Sequence, residues 1–241
     1  MDEKQRQHSI RISQFAFACY VFGPLTKYDS SYLRLQQATE GPPDLCLPEH
    51  RKALLRWLNA WGCRQFAVAY HDRASEEILS WYGEYADRLC PEDRRLLELS
   101  EAELAAVGTA YDALSGRTAS YRERGGGTHR VPIGPAGAAK ILFAIRPRAL
   151  LPWDAGIRKG LDHTPSGASY VRYLRDAKML LENLAVQCHI HGLELSRLPQ
   201  KLGQPDSSVA MLLNEYYWIT WTKGCAPDSD TFQRWAEWDR P

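Results

Sequence analysis

In segment after segment of this 241-residue chain, apolar residues recur three and four positions apart, between residues that start and stop helices. Alternating apolar–polar runs, the mark of a half-buried strand, are nearly absent, so the spacing restricts the chain to a mainly helical, all-α fold. Pro48 and Glu49 open one helix, Leu54, Leu55, Leu58 and Trp61 share its apolar face, and Gly62 ends it. Ser75, followed by Glu76 and Glu77, reads as the cap of a second helix with the stripe Ile78, Leu79, Tyr82, Tyr85 and Leu89. A third is expected from Pro91. Ser100 and Glu103 form a capping box for a fourth, which closes at Gly116. Pro135 suits the first turn of a helix over 135–145 that Pro147 stops, and Asp154 is the natural N-cap of a helix from 155. Longer helices are expected at 168–189 and 207–223, the latter capped by Asp206 and ended by Gly224, with a short one from Asp230 to Trp238. Residues 9–23 fit either short N-terminal strands or a buried helix, and 24–47 read as a loop with one short helix. Gly125-Gly126-Gly127 is the sharpest break, a hinge or a place where backbone approaches a ligand. It suggests a division into 1–116 and 117–241, two closely packed helical regions or one integrated domain.

Hydrophobic residues make up 44% of the chain and charged residues 24%, which excludes a disordered chain. No run of eighteen apolar residues exists, so no membrane partner is expected, and the charged start MDEKQRQHS lacks a signal core, so a cytoplasmic location is expected. The six Cys include no Cys-x-x-Cys and read as reduced thiols. Cys188 and Cys225 are too few for a C-terminal iron–sulfur loop. His189 and His191 do not share a helical face, so no metal is expected.

The net charge of +1 says nothing about a polyanion, but its distribution does. Residues 72–112 carry eleven acids and four bases, whereas 117–160 carry nine Lys/Arg against Glu123 and Asp154. Such a basic stretch is an electrostatic footprint for nucleic acid; on charge alone, a solvated face balanced by its acidic neighbour explains it better.

Within that stretch, VPIGPAGAAKILFAIRPRALLPWDAGIRKGL, a turn at Gly134 leads into a helix start whose free N–H groups suit phosphate. Small residues Ala136, Gly137, Ala138 and Ala139 follow, then an apolar run and Asp154 at the next helix start. This order resembles the helix-hairpin-helix DNA glycosylase superfamily, over about thirty residues. Gly134 takes the second hairpin glycine, Ala138 the small helix residue, and Asp154 the carboxylate sixteen residues on. Pro132 stands where the family has its first hairpin glycine, which leaves the family's monovalent-cation site at the hairpin open. Ala136 stands where lyase members carry a nucleophilic Lys. The resemblance therefore implies two helical subdomains of glycosylase type and a monomeric, monofunctional enzyme without other cofactors. It would act on double-stranded DNA with a modified base, leaving an abasic site, in repair or in defence against phage.

The resemblance makes Asp154 the catalytic carboxylate. It assigns Arg130, Gly134, Ala136, Gly137, Lys140, Arg158 and Lys159 to the DNA backbone, and Trp153, Trp57, Tyr82 and Tyr217 to a base pocket. Lys140, one turn beyond Ala136, is read as a phosphate contact. Each has a plainer reading: an Asp before a helix is usually a cap contributing about 1 kcal/mol, and buried rings are usually core. The patch Asn214, Glu215, Tyr216, Tyr217 could face a pocket or form an amphipathic edge. A non-catalytic helix-hairpin-helix DNA-binding protein and a helical protein-interaction scaffold are the alternatives from other classes.

Overall fold

The computed structural model describes residues 10–225, which contain ten α-helices and one two-stranded antiparallel sheet. The chain is mainly helical, as the apolar spacing predicts. The ambiguous N-terminal segment forms α1 (Ile12–Leu25), not short strands. Ile12, Phe15, Ala16, Cys19 and Phe22 are buried at a period of three and four, and small side chains let the helix sit close to its neighbours. Gln187 fixes its start, accepting from the Ile12 amide at 2.8 Å and donating to the Ile10 carbonyl at 2.6 Å.

Helix α2 (Tyr28–Ala38) packs on α3 (Pro48–Ala60), which ends before Gly62 as predicted. Helix α4 (His71–Tyr85) begins five residues earlier than the Ser75 cap would place it, because a 3-10 turn at Val68–Tyr70 leads directly into it. Ser75 Oγ accepts from Arg51 Nε at 2.8 Å instead. The buried stripe of α4 is Ala74, Ile78 and Trp81, and Leu79 is exposed. The stretch after Pro91 forms only a 3-10 turn, Leu96–Glu98. Helix α5 (Glu101–Gly116) carries the predicted box, in which Glu103 N donates to Ser100 Oγ and Ser100 N to Glu103 Oε2.

The glycine triplet sits in a paired turn and not at a hinge between two regions. It makes a tight β-hairpin of β1 (Thr118–Arg124) and β2 (Gly127–Pro132). Gly125 and Gly126 are the two turn residues, at φ 60° and 80°, the left-handed pair that a type I′ turn requires. Ile133 N donates to Arg117 O at 2.7 Å and closes the neck of the hairpin. The hairpin is therefore an insert in the turn between α5 and α6 (Gly134–Ile145), two helices that pack on each other.

Helices α7 (Ala155–Gly160), α8 (Gly167–Ile190), α9 (Leu198–Lys201) and α10 (Val209–Tyr217) follow. Ser208, not Asp206, caps α10 by accepting from Met211 N at 3.0 Å. The expected helix to 223 changes to a π-helical turn over Trp218–Thr222 before Gly224. The short helix expected at 230–238 lies outside the described residues. The main apolar cluster runs from Ile10 to Tyr217 and draws on both sides of the 116/117 boundary, and a smaller one joins Ala18, Phe22 and Ile219. Among the described residues no helix is long and apolar enough to cross a membrane.

Candidate functional site

Asp154 caps α7: its Oδ1 accepts from Ile157 N at 2.9 Å, the local hydrogen bond that its position before the helix predicts. It has a second partner from far along the chain. Thr222 Oγ1 lies 2.9 Å from Oδ1 and 3.0 Å from Oδ2. Two glycines allow this approach. A Cβ on Gly156 would sit 2.7 Å from Thr222 Oγ1 and 2.9 Å from its Cα, and one on Gly160 would meet the Trp221 ring at 2.5 Å. Helix α7 thus presents a side-chain-free face to the π-helical turn, and that contact locks the carboxylate from both sides.

Asp154 stands in the wall of a cavity of about 310 Å³ lined by residues from five separate stretches of chain. Ala136 and Lys140 come from α6, Tyr28 from the start of α2, Trp61 to Gln65 from the end of α3, Asn214 from α10 and Trp218 from the π-helical turn. The aromatic walls pack on one another. Tyr28 lies 5.6 Å from Trp61 and, edge-on, 5.8 Å from Trp218, and Trp61 Nε1 donates to Tyr28 O at 3.0 Å. Asn214 is nearly buried, and its amide makes no side-chain hydrogen bond among the described residues. Burial pushes the Cys63 thiol up, with Lys140 pulling the other way.

Lys140 is placed by a helix end. Trp61 caps the C-terminus of α3, and its carbonyl accepts from Lys140 Nζ at 2.6 Å, with the ammonium 5.7 Å from the Trp61 ring centroid. Lys140, expected at a phosphate, thus has its ammonium at the cavity wall, with one of its three N–H donors on the Trp61 carbonyl.

The predicted base-pocket rings fare unevenly. Trp153 contributes to the lining, but its ring is 1% exposed and stacked on Tyr173 at 5.2 Å, with Nε1 donating to the Tyr111 hydroxyl. Trp57, Tyr82 and Tyr217 are not in the lining. Trp57 packs on Tyr32 and Trp61, Tyr217 on Tyr173 and Tyr216, and Tyr82 beside Trp81. Each points from its helix into the core or along it, and spacing alone did not reveal the direction. Tyr28, Trp61, Gln65, Trp218 and Thr222 went unrecognised; the four-residue spacing of Gly156 and Gly160 was the one available signal of a close neighbour.

The basic stretch is partly spent inside the protein. Arg117 pairs with Glu84, Arg130 donates to Gly116 O, the buried Arg146 donates to Cys90 O, and Arg158 sits 5.9 Å from the Trp153 ring centroid. Arg122, Arg124, Arg148 and Lys159 are exposed, as is Arg130 despite its bond to Gly116 O. Gly134 takes φ 70° at the turn, whereas Gly137 is buried, its missing Cβ leaving room for Gln65 and Ile133. At the neck of the hairpin the carbonyls of Gly116, Arg117 and Ile133 each accept one hydrogen bond, from Arg130, Ile133 N and Gln65 respectively.

A larger open groove of about 860 Å³ runs past Arg95, Arg148, Glu194 and Ser207 and shares no residue with the Asp154 cavity. Among the described residues, no three His, Cys, Asp or Glu side chains gather as a metal cage. No family model, no curated protein and no solved structure matches the chain.

Proposed function

We propose that this protein is a DNA glycosylase-like hydrolase that excises a modified base from duplex DNA and leaves an abasic site. One observation carries the reading. The carboxylate picked out by the resemblance to helix-hairpin-helix glycosylases lies in the wall of an aromatic cavity whose volume, about 310 Å³, is at the small end for ligand sites and suits a single flipped base.

In the reaction, the bond between the sugar and the base nitrogen breaks and its electron pair leaves with the base. Positive charge builds on the sugar, where Asp154 stabilises it, and water attacks the anomeric carbon and yields its proton to Asp154 or solvent. The departing base carries negative charge, which the Lys140 ammonium offsets before the base is protonated. Asn214 supplies paired donor and acceptor groups to a base edge, and Trp61, Tyr28 and Trp218 supply apolar faces. Ala136 has no amine to attack the sugar, and Lys140 Nζ is engaged with the Trp61 carbonyl, so the mechanism uses water and forms no covalent enzyme–DNA link.

The test incubates the protein with genomic DNAs of differing modification, phage DNA with altered cytosines among them, and identifies released bases by mass spectrometry. Release of an altered cytosine, lost in Asp154→Asn, is the expected result and points to defence. Release of uracil or alkylated purines alone would favour repair instead. Duplex binding without alkali-labile sites on any DNA would favour a non-catalytic binding protein, consistent with Asp154 as cap and Thr222 partner only.

A further inference from the structure

The β-hairpin at 118–132 plays no part in the cavity chemistry, yet it is the most exposed regular element of the basic stretch. Its two faces differ. On one, every polar or aromatic group is engaged: Tyr121 packs on Tyr70 at 5.7 Å, Thr128 Oγ1 donates to Glu123 at 2.6 Å, and Arg130 reaches back to Gly116 O. The other face carries Arg122 and Arg124 with His129 directly across from Arg122. Among the described residues neither arginine side chain has a hydrogen bond or ion pair, and all three residues are exposed. The single acid of the hairpin, Glu123, is on the engaged face.

The base of the hairpin is fixed. Thr118, Ala119 and Ser120 are buried, with an irregular register between Thr118 and Ser120. Ser120 Oγ donates to Gln65 O at 2.7 Å, and Gln65 Nε2 donates to Ile133 O at 2.8 Å. Gln65 also lines the Asp154 cavity. The ribbon is thus anchored through one residue to the cavity wall.

Its dimensions suit a groove. From Tyr121 to the turn the ribbon projects about 14 Å at ~3.4 Å per residue, and its strands lie about 5 Å apart. The major groove of B-DNA is ~12 Å wide and ~8.5 Å deep and admits a two-stranded ribbon. Two free guanidinium groups two residues apart face one way, as phosphate or guanine contacts require.

We propose that this hairpin enters the major groove of duplex DNA beside the flipped base, with Arg122 and Arg124 as its contacts. The inference rests on the DNA-directed reading of the Asp154 cavity and adds the element that grips the duplex. The occupant is duplex DNA, because a protein acidic patch would not call for a narrow, anchored ribbon of this depth.

The test measures binding of the full chain to a fluorescent 25-base-pair duplex across a salt series, with dimethyl sulfate footprinting of guanine N7 in the major groove. Wild type is compared with Arg122→Gln/Arg124→Gln and with the charge control Arg197→Gln. The expected result is a salt slope lower by about 2 in the double variant. Guanine N7 protection is lost with it, and Arg197→Gln behaves as wild type. If wild type binds duplex and the double variant keeps the same slope and protection, the hairpin inference falls while the glycosylase reading stands. If wild type shows no duplex binding at any salt, both fall. Both substitutions are on the exposed face, and an unchanged circular dichroism spectrum separates lost contacts from lost fold.

Discussion

Substitution of Gly156 by Ala tests the contact that locks Asp154. In an exposed helix interior, Gly to Ala stabilises by about 1 kcal/mol, because the glycine loses more backbone freedom on folding. Here the added Cβ would lie 2.7 Å from Thr222 Oγ1, 2.9 Å from its Cα and 3.1 Å from its Cβ. Carbon atoms rest at about 3.5–4.0 Å, so the π-helical turn must retreat by roughly 0.6 Å or more, and the nearest carbon is backbone, which cannot rotate away. Overpacking of this kind costs about 1–3 kcal/mol, and the weakened Thr222 bonds to a carboxylate add to it. After the propensity gain, we expect a net loss of about 1–2 kcal/mol in urea unfolding. The local cap to Ile157 should survive, so α7 persists while Asp154 loses its second anchor. A double-mutant cycle with Thr222→Ala should be sub-additive by at least about 0.5 kcal/mol, since part of the Gly156→Ala cost is exerted on the hydroxyl. Stabilisation by Gly156→Ala, or strict additivity with Thr222→Ala, would refute the packing argument.

Gly167→Ala places a Cβ 2.1 Å from Gly108 O and 2.6 Å from Asp112 Oδ2, forcing α5 and α8 apart; thermal unfolding should show a loss of about 3–5 kcal/mol. Gly108→Ala, whose nearest clash is the Val171 side chain at 2.7 Å, should cost visibly less. Burial lifts the Asp29 carboxyl to about 6, and its Oδ1 has no hydrogen-bond partner. A carboxyl raised in the folded state favours folding below its unfolded value near 4, and that advantage is lost as pH rises through about 6. Asp29→Asn should therefore stabilise the protein at pH 8 by an amount on the order of 2 kcal/mol and have little effect at pH 4, as measured by urea titration at both. Lys140→Met should lose the α3 C-terminal contact, at a stability cost of about 1 kcal/mol, and slow base release at least tenfold, with the salt slope of duplex binding unchanged. Borohydride during turnover should trap no adduct in wild type, and a trapped adduct absent from Lys140→Met would assign Lys140 as a nucleophile.

The sequence by itself determined what depends on neighbours a few residues apart. The capping box at Ser100 and Glu103, the Asp154 cap, the stop at Gly62 and the mainly helical class all follow from local spacing and hydrogen bonds that close within one turn. Where two local solutions compete, the tertiary structure decided. Within the ambiguous N-terminal segment, Ile12–Leu25 became a helix whose apolar groups meet α10, and the glycine triplet became a hairpin turn because the flanking strands pair, a pairing that single-strand patterning leaves open. The cavity was decided there as well. Trp57 lies in α3 and Trp61, four residues on, caps it, yet Trp61 lines the cavity while Trp57 packs on Tyr32. Lys140 faces inward because a helix-terminal carbonyl at Trp61, 79 residues away, accepts its proton donor. Such contacts join distant stretches of chain, and their partners are set by how whole helices cross. The crossing angle and depth depend on the shape of both surfaces at once, which no local pattern encodes.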